Sequence, residues 1–162
     1  MISSTYAVAI GSNRRHIRYG PPERVVAAAN DALTELGTVL ARSPVLRTPA
    51  LGPAGRRFAN AAVLLETTLD PPGLLASLKT LERRLGRRPG RRWGPRVLDL
   101  DIILWSGGAW STPNLTIPHP EFRARPFVLK PLKAVAPGWR DPLTRHSIAQ
   151  LARMVDRRPP LP

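Results

Sequence analysis

The chain of 162 residues is long enough for one domain with a sizeable core. It holds no cysteine, which excludes disulfides, thiolate catalysis and sulfur-ligated metal, so any metal here must use oxygen or nitrogen donors. With 25 Lys and Arg against 11 Asp and Glu the formal charge is +14, which calls for an anionic partner without choosing between nucleic acid, a phospholipid surface and a phosphorylated small molecule.

No apolar run approaches the roughly 18 residues of a membrane span, and no basic segment precedes the short apolar stretch of MISSTYAVAIGSN. A cytoplasmic protein is expected. Residues 6–10 read as a strand, broken by Gly11, Ser12 and Asn13. Residues 23–36 follow two prolines and carry Val25, Val26, Ala29, Ala32, Leu33 and Leu36 at helical spacing, with Gly37 as the stop. A second strand is expected over 39–46, with Pro44 pushing it toward an edge or a bulge. The turn-rich TPALGPAGRR leads to a third strand over 58–67.

The next helix is expected over 72–85, where Leu74, Leu75, Leu78, Leu81 and Leu85 form one stripe and Gly86 ends it. Residues 87–95 have no periodicity and read as a phosphate-facing loop, followed by a strand over 97–105. Beyond it come a short strand at 115–117, a helical turn at 120–125, an apolar segment over 127–135 broken by Pro131, and a terminal helix over 147–154 with Ser147 as N-cap. The tail from about 156 should fray. The order strand, helix, strand, strand, helix, strand is the split βαβ arrangement, an antiparallel sheet with both helices on one face. Nothing marks a second domain, so residues 1–162 read as one.

The stretch RWGPRVLDLDIILW poses the chemical question, because it places two aspartates in an apolar strand. Alternation turns Asp99 and Asp101 to one side, about 6.6 Å apart, and Leu98, Leu100 and Ile102 to the other, while Ile103 and Trp105 return the carboxylate face to apolar character. Two carboxylates sharing an environment need cations or hydration. Structural ion pairs with arginine would suffice for that. The preceding loop, however, carries Arg87, Arg88, Arg91, Arg92 and Arg96, more than two carboxylates require. A hard metal on Asp99 and Asp101, its remaining positions taken by polyphosphate oxygens, accounts for both signs of charge.

His119, fixed between two prolines, reads equally as a phosphate contact or as a capping residue, and Arg123 and Arg125 extend the positive wall beside it. Trp93 fits either base stacking or loop anchoring. Asn60, two residues from Phe58 on one strand face, fits either a turn network or the edge of a flat heterocycle.

These stretches resemble the 6-hydroxymethyl-7,8-dihydropterin pyrophosphokinase family. AIGSN at 9–13, RTPALGP at 47–53, FANAAVLLET at 58–67, LERRLGR at 81–87, RWGPRVLDLDIILW at 92–105 and IPHPEFRARPFVLKPLKAVAP at 117–137 occur in family order. The resemblance implies a ferredoxin-like α+β fold and transfer of the β,γ-diphosphate of ATP to the pterin hydroxymethyl group, giving AMP and the pterin diphosphate in folate biosynthesis. It implies two Mg²⁺ ions on Asp99 and Asp101. Arg87 and Arg96 would act with these aspartates in catalysis. ATP would be bound by Glu82, Arg87, Arg92, Trp93, Arg96, Ile102, His119 and Arg125. The pterin would lie among Thr48, Pro49, Leu51, Phe58, Asn60 and Phe127. It further implies a monomer acting on small molecules, with no nucleic-acid or membrane partner. The chain departs from the family pattern at Arg88-Pro89, at Lys130 where an acidic residue is common, and at Phe58 where tyrosine is frequent. Two rivals predict different features: an RNA-binding sheet would alternate exposed aromatics on its central strands, and another phosphotransferase would release ADP.

Overall fold

In the computed structural model, residues 2–13, 19–48, 58–86 and 97–157 are described. They form β1 (Ser4–Ser12), α1 (Pro22–Leu33), β2 (Thr38–Arg42), β3 (Leu46–Thr48), β4 (Phe58–Thr67), α2 (Pro71–Gly86) and β5 (Asp99–Trp105). There follow β6 (Trp110–Thr112), β7 (Leu115–Ile117), a 3₁₀ turn at Phe122–Ala124, α3 (Pro126–Val135) and α4 (Ile148–Asp156). The main sheet has the order β2-β4-β1-β5, with β3 also on β4, and every pairing is antiparallel. This is the ferredoxin-like α+β arrangement that the element order implied.

The leucine stripe of α2 and the Val25, Val26, Ala29, Leu33 face of α1 pack on Tyr6, Val8, Ile10, Val63, Leu65, Leu100 and Ile102. Each fully buried side chain of this size contributes about 1.5–3 kcal/mol. The sequence reading left the opposite face uncovered. It is covered by α3 and α4, whose Val128, Leu129, Leu132, Ile148, Leu151 and Val155 pack on Ala7, Ala62, Ile103 and Leu104. The small alanines of β1 and β4 let these helices approach closely. Among the described residues no helix is long and apolar enough to cross a membrane.

Several local expectations are corrected. Helix α1 stops at Leu33 because Thr34, Glu35 and Leu36 bond three residues back, to Asp31, Ala32 and Leu33, rather than four. Gly37 then approaches β4 so closely that a Cβ would lie 2.1 Å from the Glu66 carbonyl oxygen. The single strand expected over 39–46 is two, β2 and β3, separated by Ser43-Pro44-Val45. There Ser43 N–H donates to the Ala62 carbonyl and Ser43 Oγ accepts from Ala62 N–H, both at 2.9 Å, so the interruption leaves no backbone group of Ala62 unpaired. Pro131 does not break the apolar segment. It lies inside α3 and is buried, so packing offsets the lost hydrogen bond.

Strand β5 also departs from plain alternation. Its register with β1 shifts between Ala7 and Val8, leaving Ile103 as the extra residue of a bulge. Ile103 keeps the carboxylate face, as expected, but Trp105 is returned to the α1/α2 face, where it stacks on Tyr6 at 6.2 Å between ring centroids. Helix α4 begins as expected at Ser147, with Ser147 Oγ accepting from Gln150 N–H at 3.1 Å and Gln150 Oε1 accepting from Ser147 N–H at 2.8 Å.

Candidate active site

Sheet register brings the sequence-predicted residues together. Gly11 on β1 lies opposite Asn60 of β4 on one side and Asp99 of β5 on the other. Two residues earlier, Ala9 lies opposite Ala62 and Asp101. One face therefore presents Asn60, Asp99 and Asp101 around a floor of hydrogen and methyl groups. Phe127 and Arg125, at the start of α3, overhang this floor. A cavity of about 130 Å³ results, lined by Ala9, Gly11, Phe58, Asn60, Asp99, Asp101, Arg125, Phe127 and neighbours.

Its chemistry is mixed. Phe58 and Phe127 are 44% and 42% exposed, unusual for large apolar rings, and both face the opening. Asn60 is nearly buried, at 9% exposure, yet its carboxamide makes no hydrogen bond within the described residues. A carboxamide on a cavity wall is suited to a ligand that supplies both a donor and an acceptor.

A second cavity, about 420 Å³, lies along the outer edge of β5, between α2 and β7. Leu75, Lys79, Asp101, Ile102, Asn114, Thr116 and His119 line it. Asp101 borders both cavities, whereas Asp99 borders the first. Burial pushes the His119 imidazole below its ordinary pKa; Asp101 and Glu121 oppose this and Arg125 assists it. A neutral imidazole is favoured there at pH 7.

Glu82 stands behind β5. Its Oε1 accepts from Leu100 N–H at 2.8 Å and its Oε2 from Lys79 Nζ at 3.4 Å. Burial raises its pKa, while the Leu100 N–H and Lys79 pull the other way. Because Leu100 separates Asp99 from Asp101, this bond fixes the backbone that aims both carboxylates. Arg125 Nη2 is paired with Glu121 Oε2, and its guanidinium lies 5.9 Å from the Phe127 ring centroid.

Asp99, Asp101, Phe58, Asn60, Arg125 and Phe127 thus share the first cavity, and Ile102 and His119 join Asp101 at the second. Thr48 lies opposite Phe58 in the register of β3 and β4 but not on the cavity wall. Arg87, Arg92, Trp93, Arg96, Pro49 and Leu51 lie outside the described residues. Arg123, expected to extend the positive wall, is instead engaged by Asp141. Lys130 pairs with Asp156 of α4 at 3.8 Å, away from either cavity. Sequence reasoning missed Lys79, although its place three residues before Glu82 puts both on one helix face. It also missed the floor at Ala9 and Gly11, whose signal was small side chains on alternate positions of a strand.

Among the described residues no group of three or more His, Asp and Glu could cage a metal. The two aspartates supply hard oxygen donors from one face, which suits Mg²⁺ that keeps water and phosphate oxygens as its other ligands.

The family model for 7,8-dihydro-6-hydroxymethylpterin-pyrophosphokinase matches residues 7–137. A 2-amino-4-hydroxy-6-hydroxymethyldihydropteridine pyrophosphokinase of Pseudomonas aeruginosa is 42% identical over 149 residues, covering 90% of this chain and 88% of that protein. A protein of the same name from Synechocystis is 44% identical over 110 residues, covering 68% of this chain and 56% of its own length. A crystal structure of Plasmodium falciparum HPPK-DHPS superposes on 94% of this chain and 41% of that one, with a TM-score of 0.71 at 13% identity, which is a likeness of fold.

Proposed function

Because the chain belongs to the 7,8-dihydro-6-hydroxymethylpterin-pyrophosphokinase family, we propose that it transfers the β,γ-diphosphate of ATP to the hydroxymethyl group of 6-hydroxymethyl-7,8-dihydropterin in folate biosynthesis. AMP and the pterin diphosphate are the products. The observation that carries this reading is the placement of Asp101 between two cavities, one flanked by aromatic rings and the Asn60 carboxamide, the other by His119 and Lys79. One carboxylate thereby reaches both an alcohol and a polyphosphate.

In this reading the pterin enters the smaller cavity, its edge hydrogen-bonded to Asn60 and its faces against Phe58 and Phe127, with Thr48 behind Phe58 and with Pro49 and Leu51 read as further pterin contacts. ATP lies along β5 against Ile102 and His119, its phosphates directed to Asp101. Arg87, Arg92, Arg96 and Arg125 are read as contacts to the phosphate oxygens, Trp93 as a further ATP contact, and Glu82 as the residue that keeps β5 in place. Asp99 and Asp101 would hold two Mg²⁺ ions, which would neutralise the phosphate charge and leave the β-phosphorus open to attack. The hydroxymethyl oxygen bonds to that phosphorus as the bond to the bridging oxygen breaks, and AMP leaves with the electron pair. Asp101 is placed to take the hydroxyl proton. Residues 1–162 act as one domain and as a cytoplasmic monomer, with no nucleic-acid or membrane partner. Product analysis tests the assignment: with ATP, Mg²⁺ and the pterin alcohol, AMP is expected, and ADP without AMP would place the chain among other phosphotransferases.

Arg125 must leave Glu121 to reach a phosphate. The pair is largely exposed, at 35% and 64% for its two side chains, so separating it costs no more than about 1 kcal/mol. Glu121→Gln is therefore expected to tighten ATP binding by up to about fivefold. An equilibrium titration checks this, and weaker binding would show that Glu121 aids the nucleotide rather than competing with it.

A further inference from the structure

The segment from His119 to Arg125 carries one residue of each cavity at its two ends. Its start is tied to β5 by His119 N–H donating to the Ile103 carbonyl at 3.0 Å. Its end becomes the first turn of α3, where the Arg125 carbonyl accepts from Val128 and Leu129 N–H, both at 3.0 Å. Arg123 lies between these ends. Its Nε donates to Asp141 Oδ2, its Nη2 donates to Asp141 Oδ1 at 2.8 Å, and its guanidinium lies 4.8 Å from the ring centroid of fully buried Phe122.

Asp141 is fully buried in the connection between α3 and α4. Thr144 Oγ1 donates to Oδ2 at 2.7 Å and Leu143 N–H to Oδ1 at 3.0 Å, so four donors converge on one carboxylate. Its own N–H donates to the His146 carbonyl at 2.9 Å, which closes the connecting loop on itself. Burial alone would raise the carboxyl, but the Arg123, Thr144 and Leu143 bonds outweigh it and hold the pKa at about 2. Neither Arg123 nor Asp141 borders either cavity. Asp141 also lies beyond residues 7–137, the part that the family model matches.

We propose that the Arg123–Asp141 pair is a positioning clamp: the connection before α4 reaches back to the His119–Arg125 segment and sets where both of those side chains meet the substrates. The role rests on the reading of His119 and Arg125 as ATP contacts. A forked guanidinium on a carboxylate fixes direction as well as distance. The clamp thus adds, to the buried Phe122 ring and the hydrogen bonds of the turn, a fixed direction for the segment between its two ends.

Three variants and one exchange measurement test the clamp. Asp141→Asn keeps the shape but removes the charge that Arg123 requires. Arg123→Met with Asp141→Leu removes both charges together, which spares the protein a buried unpaired carboxylate. Compared at equal folded fraction, both variants are expected to lose on the order of 10- to 100-fold in kcat/KM, with a raised KM for ATP, because small misplacement of a contact is costly. Arg123→Lys should recover only part of this. A folded double variant with wild-type KM and kcat would overturn the clamp.

Native-state hydrogen exchange on the wild-type chain decides the matter even where variants do not fold. The amides of 122–125 are expected to open together with those of 141–148, and independent opening of the two stretches would overturn the proposal. Exchange does not depend on turnover, so a wild-type protein that released no AMP would sink the functional reading alone.

Discussion

Asp99→Ala and Asp101→Ala are each expected to leave the fold in place and to lower turnover more than about 100-fold, the scale seen when a preorganised electrostatic contact is removed. The fold should survive because Asp99 is exposed and Asp101 half-buried, while the packing of β5 is made by Leu100, Ile102, Ile103 and Leu104. The two losses should differ in kind. Asp101 borders both cavities, so its loss should fall mainly on kcat, whereas loss of Asp99, on the smaller cavity, should also weaken productive binding of the pterin. AMP release under saturating ATP, alongside far-UV circular dichroism and a melting curve, separates the effects. Normal turnover in either variant with Mg²⁺ as the sole metal would refute the assignment of the pair.

Gly11→Val is expected to weaken pterin binding on the order of 10- to 100-fold, the equivalent of overpacking a filled site by about 1–3 kcal/mol. A Cβ at this position would already lie 3.1 Å from Asn60 Oδ1, so Asn60 must give way before the two methyl groups are placed. Those methyl groups project into a cavity of only about 130 Å³. The strand itself should accept the change, since a β-branched residue suits extended backbone. ATP binding should stay within about threefold of wild type, because Gly11 lines only the smaller cavity. Separate titrations with each substrate decide the matter: equal weakening of both would mean that the substitution disturbs the sheet rather than the pocket floor.

How far the sequence could be read depended on which side chains carried a signal. The same-face placement of Asp99 and Asp101 was legible because polar and apolar residues alternate through Leu98 to Ile102. The bulge at Ile103 was not, because Ile102, Ile103 and Leu104 are all apolar and a strand buried on both faces carries no alternation to register against. The same condition hid the second helical layer. The run Ala61 to Leu65 is apolar throughout, which is the pattern of a strand covered on both sides, and α3 and α4 provide that second cover. Strand β6 had a usable cue in the two residues, Pro113 and Asn114, that join it to β7 as a short hairpin.

For the site, Asp99, Asp101, Asn60, Phe58 and Phe127 could be placed from motif and resemblance. The role of Arg123 could not, because its partner is 18 residues away and no local pattern joins an arginine in a turn to an aspartate in a later loop. Lys79 was overlooked for a different reason: on a helix rich in Lys and Arg, one more cation reads as solvated surface until the cavity beside it is known.

The bond from Leu100 N–H to Glu82 also bears on the exposed edge of the sheet. Strand β5 is the outermost of the main sheet, and an outermost strand normally offers unpaired N–H and carbonyl groups on which a second molecule can add a strand. Here a buried carboxylate from α2 takes the Leu100 N–H, and the backbone of His119 takes the Ile103 carbonyl. Two of the strand's outward groups are thereby taken within the chain, which leaves fewer of them for edge-to-edge pairing. The carboxylates of Asp99 and Asp101 thus extend from a strand whose outer backbone is held at Leu100 and Ile103 by groups of the same chain.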